Sequence, residues 1–478
     1  MKTIDNLQAY FDSGITKEYS WRREQLLQLK RMLKEQESAF CDALYSDLGK
    51  SATESYLTEV NFLVAEINHA LDHLSSWMKD VEVASPAFML PAQSFVKYEP
   101  LGVVLIMGAW NYPVQLTLGP LIAAIAAGNC AVVKAPRTAK ASFKLMEQLI
   151  PEYLDAKAFY ACDEHVSNAD LLSRAWGKIF VTGSGRVGKI VMKAAAETLT
   201  PVTLELGGKS PAIFTKNANF EVGIKRMLQG KFINAGQTCV APDYVILEKG
   251  NFDDFLSICD SVLHEFYGEA IESSKDYGRI INDKNYQHLK ELMQGHEIVF
   301  GGNYNDAERY IEPTLVLNPD LKSDLMQEEI FGPILPIILV EDLDQGIALV
   351  NSMDKPLALY VFSEDSTEVD RVLNETSSGG VCVNECLYHL TVPELPFGGV
   401  GPSGMGNYHG RYGFLDFSNE KAVVNRQTGF DPELRYPPFD KKRSNQVKYL
   451  VGLNLPDWIL KSKLISRIVN ATGGIFLK

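Results

Sequence analysis

A chain of 478 residues, 46% hydrophobic and 22% charged, is long enough for two or three packed domains and has the make-up of a soluble globular protein. Its formal net charge of −14 excludes a general nucleic-acid binder. The seven cysteines, at 41, 130, 162, 239, 259, 382 and 386, make no C-x-x-C pair and no zinc-spaced cluster; the expectation is a reduced, cytoplasmic chain with no structural metal.

The start, MKTIDNLQAYFDSG, has no apolar stretch of the kind a secretory signal carries. No apolar run reaches the ~18 residues of a spanning helix. Residues Tyr19–Ala43 and Glu54–Trp77 place apolar side chains at helical spacing. Val83–Pro100 has no such period and reads as an extended excursion. From Gly102 the pattern changes. GVVLIMG (102–108) is a continuous apolar run, as in a strand buried on both faces. Helix Leu116–Ala127, strand 131–134, helix Ala141–Ile150, strand 178–183, helix Val187–Glu197 and strand 201–206 follow. After GGKSP the alternation restarts, through strand 212–214, helix Phe220–Phe232, strand Tyr244–Glu248 and helix Phe252–Phe266. Further on come a helix near 342–352, strand 357–362, a helix near 366–375 and strand 380–384. Strand–helix alternation of this kind predicts an α/β fold of two doubly wound parallel-sheet modules, with Leu206–Ser210 as the seam. PFGGVGPSGMGNYHG (396–410) reads as a long loop. The FSNEKAVVN strand beyond it is expected to pair with the earlier excursion.

Six stretches carry candidate chemistry. Gly183, Gly185 and Gly188 satisfy G-x-G-x-x-G between a strand and a helix, where backbone N–H groups can face a pyrophosphate. Glu205 lies 20 residues after Gly185; it can hold ribose hydroxyls, or act as a general base at the strand's mouth, and spacing does not choose. Asn111 follows the first buried strand, where its amide can donate to an oxyanion or simply make a turn. Cys239, in KFINAGQTCVAPD, follows a helix broken by Gly236, a junction that can present a thiol to backbone N–H donors. Lys134 ends a strand, and Glu328-Glu329 precede Phe331 and a turn.

Together these stretches resemble the aldehyde dehydrogenase superfamily, on its class 3-like branch of fatty and aromatic aldehyde dehydrogenases. The resemblance runs from about residue 10 to RYPP (435–438) and is carried by EPLGVVLIMGAWNYP, TGSGRVGKIVMKAAAETLTPVTLELGGKSP, GKFINAGQTCVAPDY, MQEEIFGPILP, KPLALYVFS, ETSSGG and LPFGGVGPSGMGNYHG, in that order. It implies Cys239 as nucleophile, Glu205 as the base that activates the hydrolytic water, and Asn111 as oxyanion donor. It further implies Gly183, Ser184, Gly185 and Gly188 as the cofactor loop, Lys134 and Glu329 as ribose ligands, and Trp110, Phe331 and Phe397 around an NAD or NADP cofactor. The substrate implied is a medium- or long-chain aliphatic or aromatic aldehyde, oxidised to the acid through a thioester. A coenzyme A-acylating enzyme, or a silent cofactor-binding scaffold, is the alternative.

One departure stands out. The family text K-P-S-E reads Lys134-Ala135-Pro136-Arg137 here, so a guanidinium replaces a carboxylate and suits a 2′-phosphate. Tyr112, Gln115 and Tyr388 fall where a substrate tunnel would run. The expected domains are 1–80 with 100–206 for the cofactor and 207–396 for catalysis. Residues 81–99 with 397–440 form a bridging element through which a homodimer is implied. The tail 441–478 carries a net +7, leaving −21 elsewhere; its apolar segment Leu455–Val469 suggests weak membrane-surface contact.

Overall fold

The run VVLIM becomes strand β1, Val103–Met107, buried at every residue as its lack of alternation predicts. The computed structural model to which it belongs describes residues 2–429 and 431–452. The segment Leu455–Val469 lies outside them.

Four more parallel strands follow: β2 Cys130–Lys134, β3 Phe159–Ala161, β4 Lys178–Thr182 and β5 Val202–Glu205. Their order is β5-β4-β1-β2-β3. The chain therefore moves outward from β1 to β3, then returns to the other side of β1 for β4 and β5. Strand order reverses between β1 and β4. In open α/β sheets the crevice beyond the carboxyl ends at that point is where ligands bind.

The second sheet contains β6 Pro211–Phe214, β7 Tyr244–Glu248, β8 Glu297–Phe300, β9 Thr314–Leu317, β10 Ile334–Val340, β11 Ala358–Phe362 and β12 Gly380–Val383. Their order is β8-β9-β10-β7-β6-β11-β12. Phe214 and Phe362 stack at 4.3 Å between neighbouring strands of this core. Burying each such ring is worth about 1.5–3 kcal/mol. The two sheets meet in sequence at Leu206–Ser210, between β5 and β6, where the seam was expected.

Both sheets depart from the purely parallel expectation at one edge. β8 is antiparallel to β9, because the chain joins them without an intervening helix. Within the stretch read as loop, β13 Gly404–Met405 pairs antiparallel with β5, Gly404 opposite Glu205. The expected single helix over Tyr19–Ala43 is two, Tyr19–Glu35 and Glu37–Leu48, broken at Gln36. The bend lets Leu29, Leu33, Phe40 and Leu44 all be buried.

By chain contacts, residues up to Leu74 and Leu101–Phe417 form one compact unit that holds both sheets. Ser75–Pro100 and the chain from Ser418 form a second. In the second, Val81–Val83, Ala92–Pro100 and Ser418–Arg426 make a three-stranded antiparallel sheet. Its long pairing runs from Ser418 opposite Pro100 to Arg426 opposite Ala92. The excursion and FSNEKAVVN thus pair as their sequences suggested.

Candidate active site

A cleft of about 850 Å³ lies at the carboxyl ends of the first sheet. Strand β1 delivers Trp110 and Asn111 to it, β2 delivers Lys134 and then Arg137, β4 delivers Thr182, Gly183 and Ser184, and β5 ends on Glu205. Cys239, Glu329 and Phe331 reach the same cleft from loops of the second sheet. Gly185, Gly188 and Phe397 are not among the lining residues. Gly185 opens the helix Gly185–Ala196, whose N-cap is Ser184, while Gly188 lies against Leu204 and Leu206. Phe397 packs with Tyr408 and His409.

Local backbone geometry presents the thiol. The helix Phe220–Phe232 ends in a tight turn in which Asn234 and Ala235 are left-handed. Gly236 follows at φ +75°, and a Cβ there would collide with the Gly332 carbonyl. The chain reverses and leaves Cys239 partly open, whereas the other six cysteines are buried. Burial, then Glu329, then Glu205 push the Cys239 thiol up, against backbone N–H groups of Cys239 and Val240 that favour the thiolate. The resting sulfur therefore carries its proton.

Asn111 is held by its backbone. Its carbonyl accepts from Asn234 Nδ2 at 2.8 Å and Lys50 Nζ at 3.0 Å. Lys50 is in turn paired with Glu59 at 2.7 Å, both side chains fully buried. Glu59 also accepts from the N–H groups of Val114 and Gln115, fixing the start of the next helix. The Asn111 amide nitrogen is left buried without a hydrogen-bond partner. So are Thr182 Oγ1, both Glu205 carboxylate oxygens and Glu329 Oε1. Buried polar atoms are nearly always satisfied. Five orphans on the walls of one cleft mark a site built for a polar ligand.

Glu329 reaches inward because residue 207 is glycine; a Cβ on Gly207 would collide with its carboxylate. Beneath it, Lys209 bonds Asp243 at 2.7 Å and the carbonyls of Leu325 and Glu328. Burial first, and Asp243 second, push Glu329 up to about 8. A pKa raised above its unfolded value contributes stability at low pH that is lost as pH rises towards 8. Glu329→Gln is therefore expected to flatten the fall of thermal stability between about pH 5 and 8, by on the order of 2 kcal/mol after discounting for the open cleft. Parallel melting curves for the two proteins across that range would contradict it.

At the other group of lining residues, Lys134 Nζ donates to the Val166 carbonyl at 3.1 Å. Arg137 donates to the same oxygen. Burial, then the neighbouring Arg137, lower the Lys134 pKa. Arg186, Ser167 and Asn168 line the cleft too. Cations and donors there, with orphaned carboxylates elsewhere, fit an elongated ligand carrying phosphates and sugar hydroxyls.

A model of the aldehyde dehydrogenase family matches residues 3–423. The chain belongs to the aldehyde dehydrogenase family. It is 45% identical over 437 residues to the 4,4'-diaponeurosporen-aldehyde dehydrogenase of Staphylococcus aureus, covering 91% of this chain and 95% of that one. It is 42% identical over 446 residues to the dimeric NADP-preferring aldehyde dehydrogenase of Rattus norvegicus, covering 92% and 98%. A solved structure, the substrate-bound state of Staphylococcus aureus AldH, superposes with a TM-score of 0.91 at 43% identity, covering 94% and 98%. Family 3 members are among its relatives. The chain is thus an oxidoreductase that oxidises an aldehyde to the carboxylic acid with NAD or NADP. No helix among the described residues is long and apolar enough to cross a membrane.

Residue-by-residue reading of the sequence did not reach Lys50, Glu59, Asn234, Gly207, Lys209 or Asp243. Only the two adjacent glycines of ELGGK and the asparagine of KFINAG gave any signal. Of the residues placed near a substrate tunnel, Tyr112 is buried with its hydroxyl 2.7 Å from Thr238 Oγ1, and Tyr388 is exposed.

Proposed function

We propose that this aldehyde dehydrogenase works through Cys239 as nucleophile, Glu205 as base and Asn111 as oxyanion donor, on medium- or long-chain aliphatic or aromatic aldehydes. The observation that carries the reading is the convergence of Cys239 with four residues bearing buried, partnerless polar atoms in one cleft. Cys239 Sγ gives up its proton to water in the cleft and attacks the aldehyde carbon, and the C=O π pair moves onto the oxygen. The Asn111 amide donates to the oxygen that becomes negative, an interaction worth ~2.7–4 kcal/mol per donor in such transition states. When bound, the nicotinamide supplies the acceptor for the hydride. Glu205 then takes a proton from the water that attacks the thioester on Cys239, releasing the acid and restoring the thiol. Lys134, Arg137, Gly183 and Ser184 would hold the dinucleotide's ribose and phosphates. Glu329 would hold a second ribose, with Trp110 and Phe331, packed edge to face at 5.2 Å, beside it.

Arg137 is assigned to the 2′-phosphate. Its anchoring beside Lys134 supports this, since one carbonyl fixes both cations. Arg137→Glu is expected to cut kcat/KM with NADP by ~10–100-fold and to leave NAD within a few-fold, because a charged hydrogen bond is worth about 1.5–3 kcal/mol. A panel of aldehydes assayed with both nicotinamides tests cofactor and substrate together. A strong NAD preference in the native enzyme ends the assignment.

A homodimer built through 81–99 and 414–425 is proposed, with the dimeric rat relative in support. The seven free cysteines suit a reducing, cytoplasmic setting. Weak contact of the +7 tail with acidic membrane surfaces rests on its sequence.

A further inference from the structure

Outside the cleft, the described residues hold one group of three side chains able to ligate a metal ion: His69, His73 and Glu394. We propose that they form a site for one divalent late transition ion of the Zn²⁺ type, which clamps the segment Val392–Phe397 onto the helix Asn61–Trp77.

The helix supplies the first two ligands. Residues four apart stand on one face, one turn above the other. The imidazole rings lie 4.3 Å apart, tilted by 34°. His73 Nδ1 lies 2.9 Å from the His69 carbonyl, a contact that requires the proton on Nδ1. That tautomer puts the lone pair on Nε2, and the carbonyl fixes the ring's orientation in the way second partners orient metal-bound histidines.

Glu394 supplies the third ligand from the loop. Its Oε1 is 3.6 Å from His69 Nε2. Donor atoms of the three residues all lie within 4.8 Å of one another. Tetrahedral zinc with bonds of ~2.0–2.1 Å separates its donors by about 3.3 Å. The remaining gap is small, and the Glu394 side chain is 70% exposed, so its torsions are available to close it. Two neutral imidazoles and one carboxylate leave a fourth position for water. Nitrogen-rich donors select zinc, nickel or copper over magnesium or calcium.

The clamp has a place to act. Phe397 exchanges backbone hydrogen bonds with Tyr408 at 3.1 and 2.8 Å. Tyr408 is close enough to Glu205 and Cys239 for their charges to act on its phenol. Gly410 N, one residue past His409, donates to Glu66 Oε1 at 2.6 Å on the same helix. An ion at Glu394 therefore ties down a segment bonded to a neighbour of the catalytic thiol, without itself lining the cleft.

Untagged full-length protein, stripped with chelator, is titrated with Zn²⁺ and with Co²⁺, and bound metal is measured after equilibrium dialysis. Cys239→Ser is carried in parallel to discount ions held by the catalytic thiol. The expected result is one ion per chain, kept in Cys239→Ser, bound at least about tenfold more weakly in Glu394→Gln and lost in His73→Ala. Co²⁺ should show visible d–d bands without the near-ultraviolet sulfur charge transfer of a thiolate ligand. Binding should raise the melting temperature of the native protein and not that of His73→Ala. Glu394 is on the surface, so Glu394→Gln decides the matter if His73→Ala fails to fold. Unchanged affinity in Glu394→Gln, binding that vanishes in Cys239→Ser, or no ion bound at ~100 μM free Zn²⁺ would each overturn the site.

Discussion

Cys239→Ala is expected to reduce kcat by ~10⁴-fold or more while leaving NAD(P) binding nearly intact. Losing the nucleophile of an enzyme that works by covalent catalysis costs factors of this order, because no other group can take over the bond. The other six cysteines are buried, so none stands ready as a substitute. The same geometry makes a second, cheaper readout. Alkylation of the native protein should label one cysteine per chain, and the label should fall on Cys239. Burial and the two carboxylates raise its thiol pKa, so the thiolate fraction is small near neutrality and grows with pH. Labelling and pre-steady-state acylation should both accelerate as pH rises. A variant retaining more than about 1% of native turnover, with cofactor bound, would remove Cys239 from the chemistry.

What was legible in the sequence divides along physical lines. Continuous apolar runs such as Val103–Met107 announced buried parallel strands because they are short, β-branched and bounded by glycine, whereas the equally buried helix Gln115–Ala127 is longer and rich in alanine and leucine. The chain order of strands and helices, and its restart after Leu206–Ser210, followed from alternation; the spatial order of β1 to β5 did not, because alternation does not say which strands are neighbours. Edges did not. The antiparallel β8 has exposed and half-buried residues and no pattern to betray it, and Gly404–Met405 is a strand only because β5 lies beside it. The site shows the same split. Cys239, Glu205 and Asn111 stood out because each sits at the end of an element with a chemistry-bearing side chain. Lys50 and Glu59 did not, because Glu59 reads as a charge on an amphipathic helical segment and Lys50 falls between two such segments, yet both are buried; Lys50 holds the Asn111 carbonyl from 61 positions away in the chain, and Glu59 holds Lys50. Glu205 shows the limit of spacing: 20 residues from the glycine loop suits a ribose ligand or a base alike, the family resemblance implies the base, and the cleft it shares with Cys239 is compatible with that role.

Glu205→Gln is expected to separate the two halves of the reaction. Its main chain is fixed on both sides: Gly183 N donates to its carbonyl at 2.9 Å, and Leu206 N donates to Ser403 O at 3.1 Å. The carboxylate, by contrast, has both oxygens buried and partnerless. Burial, and after it Asp416, raise its pKa well above the usual carboxylate range. Asp416 is itself held by Lys178 at 2.7 Å and by Thr203 on the same strand as Glu205. A carboxyl poised in this way takes a proton from water readily once ionised, and glutamine of the same shape takes none. The variant should still form the thioester on Cys239. It should release about one reduced nicotinamide per site in a burst near the native rate, then turn over ~10²–10⁴-fold more slowly. In the native enzyme the deacylation rate should climb with pH as Glu205 ionises, since a raised pKa keeps the base protonated at low pH; in the variant that climb should disappear. Linear progress curves at native rate with no burst would show that another group activates the water. A burst lost together with the steady state would instead move Glu205 into the attack step, where its negative charge already acts on the Cys239 thiol.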